Sequence, residues 1–185
     1  VSVNAGQTCT ITVTVRGATL GLKTNTTGNV TTTGMNNGVT AQNVTVVQPD
    51  VAKTFGGFNI PDAGITSLVF TLTNGAGNPS QGGIALGDTL PSGLLFNSTT
   101  PAVSYSAGCS GPATAAYNTG TKVLSGLTGI AMTGGTTSCT VTVSGVTNEA
   151  GQTGSCPNAA FTNLASNVTG TNVNMSGRLA VVTKS

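Results

Sequence analysis

Six cations and four anions are all the formal charge this 185-residue chain carries, so each charged side chain is a candidate for chemistry. Lys53, Asp88 and an Asn of the closing segment (Asn163, Asn172 or Asn174) form the one combination that includes charged side chains and could make a covalent bond. A Lys kept neutral by burial is a nucleophile, a carboxyl group kept protonated by burial can pass protons on, and a carboxamide is an acyl group with ammonia to lose. The product would be an intramolecular amide, an isopeptide bond from Lys53 to Asn163. The competing reading puts Lys53 at a strand edge as a solubilising charge and lets Asp88 cap the turn Thr89-Leu90-Pro91.

Other chemistry is limited by residue type. With no His and four scattered acids, neither a triad nor a His-ligated metal site can be assembled. Cys9, Cys109, Cys139 and Cys156 contain no C-x-x-C pair, which a zinc site built from cysteine alone requires. No enzyme activity, cofactor or metal is therefore expected. A net charge of +2 is too thin to hold a polyphosphate, so nucleic acid is not an expected partner. No apolar run approaches the roughly 18 residues of a bilayer span, and membrane insertion is not expected either. The first residues, Val1 to Thr8, have neither the basic nor the apolar region of a signal peptide, as in a chain that is mature or cut from something longer.

The elements that would position these residues are strands. Composition is 37% hydrophobic with 35 Thr, which favours pleated, half-buried segments. Cys9 to Val15 alternates strictly: Cys9, Ile11, Val13 and Val15 face one way and three Thr the other. Ser138 to Val143 repeats the pattern, Ser67 to Thr73 sets Leu68, Phe70 and Leu72 on one side, and Asn43 to Val47 and Arg178 to Val182 are shorter alternations. Turn signals such as Asn74-Gly75, Pro91-Ser92-Gly93 and Gly134-Gly135 separate them at the spacing of an all-β antiparallel sandwich, with essentially no helix. Phe55, Phe58, Phe70, Phe96 and Phe161 are read as core, and Tyr105 and Tyr117 as flanking Cys109 on one hairpin.

An internal repeat organises the chain. Thr8 to Val13 matches Ser138 to Val143, Thr24 to Thr31 matches Thr162 to Thr169, and each copy ends in an apolar strand. From Cys to the matching Asn the first copy spans 16 positions and the second 24, the extra loop being Asn148 to Asn158. Residues 1–48 thus read as the closing half of a module completed by upstream residues or another chain, and residues 49–185 as a complete one.

Three stretches carry a family resemblance: Val51-Ala52-Lys53-Thr54-Phe55; Ile60 to Asn74; and Leu86-Gly87-Asp88-Thr89-Leu90-Pro91-Ser92-Gly93-Leu94. With Cys139 in C-T-V-T-V, they resemble the DUF11-like repeat module of large bacterial cell-surface and extracellular proteins. The resemblance implies an immunoglobulin-like sandwich used as a spacer, adhesin stalk or filament unit, with no enzymatic activity. It also implies a pair of cysteines, here Cys109 and Cys139, bridged across a loop of about 30 residues; two buried thiols are the alternative. Cys9 and Cys156 fall outside that pairing and could join within the chain or between chains. The expectation is a secreted structural protein at the cell surface or in an extracellular filament, with copies of itself as partner through strand complementation. The rival expectation is an adhesin stalk or binding module reading a glycan or host protein through end loops, at Phe96 to Tyr117 and Asn148 to Asn158.

Overall fold

Alternating side chains become a strand only where a second segment completes the hydrogen-bond ladder. The computed structural model describes residues 4–15, 17–19, 21–26, 28, 31–32, 35–36, 41–57, 59–61, 64–149, 160–175 and 180–184. Its strands, in chain order, are β1 (Gly21–Thr26), β2 (Thr31–Thr32), β3 (Met35–Asn36), β4 (Ala41–Val46), β5 (Asp50–Phe55) and β6 (Asn59–Ile60). There follow β7 (Thr66–Thr73), β8 (Gln81–Thr89), β9 (Leu94–Phe96), β10 (Val103–Tyr105), β11 (Cys109–Ser110) and β12 (Ala116–Asn118). The last are β13 (Val123–Met132), β14 (Ser138–Asn148), β15 (Ala160–Asn163), β16 (Val168–Thr171) and β17 (Ala180–Lys184). The described residues contain no α-helix, only a single 3-10 turn at Ala165–Asn167.

Two antiparallel sheets face each other. One has the order β10-β14-β7-β5 with β9 also on β14, and the other β11-β13-β8-β16 with β12 also on β13. Val51, Phe55, Leu68, Phe70, Leu72, Val141 and Val143 of the first pack against Ile84, Leu86, Leu124, Leu127, Ile130 and Met132 of the second, forming one buried core. Each such side chain contributes about 1.5–3 kcal/mol. This is the all-β sandwich the periodicity implies. A smaller sheet, β15-β17-β6, lies beside it, with β17 against β5 and parallel to β6. A bulge at Gly145, between the pairs of Ser144 and Val146, lets one edge of β14 pass from β10 to β9. Gly145 has φ +99°, and a Cβ there would overlap the Asn97 carboxamide.

Asn25 lies opposite Gln42 in the β1–β4 pair, and Asn163 opposite Ala180 in β15–β17. Two expectations are corrected. Cys9 to Val15 alternates but forms no strand: its backbone finds no partner among the described residues, and Ile11, Val13 and Val15 are exposed. Tyr105 and Tyr117 do not share a hairpin, because Tyr105 pairs with Val141 in one sheet and Tyr117 with Leu124 in the other. Phe55, Phe70, Phe96 and Phe161 are buried, while Phe58 lies outside the described residues.

Candidate functional site

Strand phase turns two of the ten charged side chains into the core. On β5 the buried positions are Val51, Lys53 and Phe55; on β8 and just beyond it they include Ile84, Leu86, Asp88 and Leu90. Period 2 leaves Lys53 and Asp88 no route to solvent, and both side chains have zero exposure. An isolated buried ammonium or carboxylate costs several kcal/mol, so the two must find partners. β15 supplies the third group: Phe161 and Asn163 are buried and Thr162 between them is exposed. The three residues thus come from three different sheets and meet under the apolar core.

Their polar atoms close a ring. Lys53 Nζ donates to Asp88 Oδ1 at 2.8 Å and to Asn163 Oδ1 at 2.7 Å. Asn163 Nδ2 donates to Asp88 Oδ2 in a very short contact. Burial pulls the Lys53 ammonium below the ordinary lysine value, opposed by the hydrogen bond and charge of Asp88. Burial likewise pushes the Asp88 carboxyl above the ordinary value, opposed by the hydrogen bond and charge of Lys53 and by bonds from Asn163 and the Thr89 backbone. Both shifts favour the neutral amine and the neutral acid, the forms a nucleophile and a proton shuttle need.

A fourth residue went unread in the sequence. Asn167, at the end of the 3-10 turn, donates from Nδ2 to Asn163 Oδ1 at 3.1 Å and to Thr89 O at 3.0 Å. Its amide is therefore aimed by the backbone of the strand carrying Asp88. The available signal was the four-residue spacing Asn163/Asn167, which the repeat shares with Asn25/Asn29. The other candidate Asn residues are placed elsewhere: Asn172 Nδ2 bonds Gly83 O at 2.9 Å, and Asn174 Nδ2 bonds Asp50 Oδ1 at 2.6 Å, both exposed. Burial rules out a solubilising role for Lys53, although β5 is the edge strand of its sheet, while Asp88, buried as well, still accepts from the Thr89 backbone at the head of the turn Thr89-Leu90-Pro91.

Cys109 and Cys139 are joined, with Cα atoms 5.9 Å apart, and so tie β11 of one sheet to β14 of the other. Cys9 is exposed and unbonded; Cys156 lies outside the described residues, as does most of the loop Asn148 to Asn158. The other proposed end loop, Phe96 to Tyr117, is not an open loop: it contains β10 and β11, and Tyr105 donates its hydroxyl to Pro112 O at 2.9 Å. Among the described residues no group of three or more His, Cys, Asp or Glu gathers at metal-binding distance.

A family model described as a domain of unknown function, DUF7933, matches residues 49–181. The chain belongs to the DUF7933 family. No curated protein and no solved structure matches it. The DUF7933 match begins at Pro49, whose carbonyl accepts the Asn174 backbone N–H at 2.8 Å, and takes in Lys53, Asp88, Asn163, Asn167 and both bridged cysteines. Within this DUF7933 domain Asn74 is buried and bonds Pro79 O at 3.0 Å, while Asn78 bonds Asn74 Oδ1 and Val47 O, each at 2.9 Å. That pair of amides fastens the preceding segment to the domain.

Proposed function

We propose that the chain is a non-enzymatic structural protein of the bacterial cell surface or an extracellular filament, built from tandem immunoglobulin-like modules of DUF11-like type. Modules associate by completing one another's sheets. One observation carries the reading. Ile11 and Val13 match Val141 and Val143 of the repeat, yet Ile11 and Val13 are 73% and 74% exposed while Val141 and Val143 are fully buried. The same pattern that fills the core of the complete module stands uncovered in residues 8–15. In the β1–β4 pair Leu22 and Val44 are exposed too, one on each face, since Leu22 lies opposite Thr45 and Val44 opposite Lys23. Covering these side chains with strands from a neighbouring module would return about 1.5–3 kcal/mol each, together with a backbone ladder. A bridge between the sheets suits an oxidising, extracellular setting.

The test is negative-stain electron microscopy of the native material, with denaturing electrophoresis alongside. Regular filaments that dissolve to a subunit near 18.0 kDa are expected for assembly between chains, and a much longer polypeptide for a tandem stalk. A monomer of 18.0 kDa that light scattering finds unassociated at high concentration would overturn self-association.

A further inference from the structure

We propose that Lys53 and Asn163 join spontaneously in the folded domain, through an amide between Lys53 Nζ and Asn163 Cγ, with Asp88 moving the protons, Asn167 holding the carbonyl oxygen and ammonia leaving. The geometry is that of reactants held for attack. Nζ lies 2.7 Å from Oδ1, and with a C=O bond of about 1.2 Å that places it about 3–4 Å from Cγ, at the distance of a near-attack conformer. Asp88 touches both nitrogens concerned, the one that must lose a proton and the one that must gain it. Asn167 Nδ2 already donates to the oxygen on which charge would develop.

The steps balance without an oxidant or water. The Lys53 ammonium passes a proton to the Asp88 carboxylate, leaving a neutral amine. The amine lone pair forms the Nζ–Cγ bond, and the C=O electrons move onto Oδ1. Asp88 delivers that first proton to Nδ2 and takes the second from Nζ. The Cγ–Nδ2 bond then breaks, the C=O bond re-forms and neutral ammonia departs; Asp88 keeps the remaining proton and stays in the core as the neutral acid that its burial favours. A buried ion pair stays costly where it is, and the product removes the ammonium from the core altogether.

The repeat supplies an internal comparison. Asn25 corresponds to Asn163, but it is exposed on β1 and among the described residues no lysine is hydrogen-bonded to it, so one cross-link per chain is expected. The bond is intramolecular and forms in a monomer or a filament alike. It therefore stands or falls separately from the assembly reading.

Intact mass spectrometry of the purified, reduced and denatured chain is the experiment. The expected mass is about 17 Da below that calculated from the sequence, one ammonia. Digestion with trypsin should leave the bond after Lys53 uncut and yield a branched peptide joining the segments of Lys53 and Asn163. Asp88→Ala and Asn163→Ala chains are expected at full mass. Asn167→Ala should reach the same final mass with formation slowed about 100-fold after refolding, as for loss of one oxyanion donor. A wild-type chain at full calculated mass overturns the proposal without recourse to any variant. A deficit of about 18 Da, water lost in a Lys53–Asp88 amide, overturns the choice of Asn163. Equal rates for Asn167→Ala and wild type overturn the role of Asn167.

Discussion

Replacing Lys53 by Met and Asp88 by Asn together removes both buried charges, so neither is left unpaired, and removes the nucleophile. If the pair is only an ion pair, such a swap is neutral or stabilising by about 1–4 kcal/mol. If Lys53 is bonded to Asn163, the swap releases a cross-link over a sequence separation of 110, inside which the Cys109–Cys139 bridge already short-circuits 30. The effective loop is then about 80 residues, and chain entropy assigns it about 4.5 kcal/mol. At about 2–4 °C per kcal/mol for a domain of this size, the double variant melts about 10–20 °C lower. The sign of the effect thus separates the two cases. Thermal unfolding followed by far-UV circular dichroism, with the disulfide kept oxidised and intact mass recorded on the same samples, is the assay. A double variant melting at or above the wild-type temperature would refute the reasoning.

Three further outcomes are expected. Gly93 has φ +92° and a Cβ there would overlap the Phe161 ring; Gly93→Ala is expected to cost about 1–3 kcal/mol in denaturant titration and, by shifting Phe161, to slow the mass loss at Asn163. Exchanging both Cys109 and Cys139 for Ala opens a loop of 30 residues between the two sheets and is expected to lower unfolding free energy by about 3.5 kcal/mol, read by the same titration. Glu149 is held below the ordinary Glu value by the Lys122 ammonium and then by the Gly93 N–H. Its contribution is complete above the unfolded pKa and lost as pH falls through the folded one, so Glu149→Gln should flatten the acid limb of a stability–pH profile by no more than about 1 kcal/mol.

Much of this fold was legible because strand alternation is local. Leu68, Phe70 and Leu72, or Cys139, Val141 and Val143, declare an inward face whatever lies opposite them, and both segments are strands with those side chains buried. The same reasoning overreached at Cys9 to Val15, since alternation describes side chains and a strand also needs a ladder. Lys53 between Val51 and Phe55, and Asp88 between Leu86 and Leu90, share the phase of buried neighbours, but neither segment stood out as a strand in the sequence, so their inward aim came from the structure. Nor was the closing Asn legible. Asn163, Asn172 and Asn174 are alike as residue types, and only Asn163 follows Phe161 into the core.

The sequence by itself therefore determined which residue types could react, Lys53 and Asp88 with one of three Asn, and which faces strands such as β7 and β14 bury, because two-residue periodicity and residue chemistry are properties of short segments. Only the tertiary structure decided that β5, β8 and β15 converge, that Asp88 touches both nitrogens and that Asn167 reaches the same oxygen. Those contacts join residues up to 110 positions apart, and what brings them together is the closing of two sheets on one core, to which no local pattern responds.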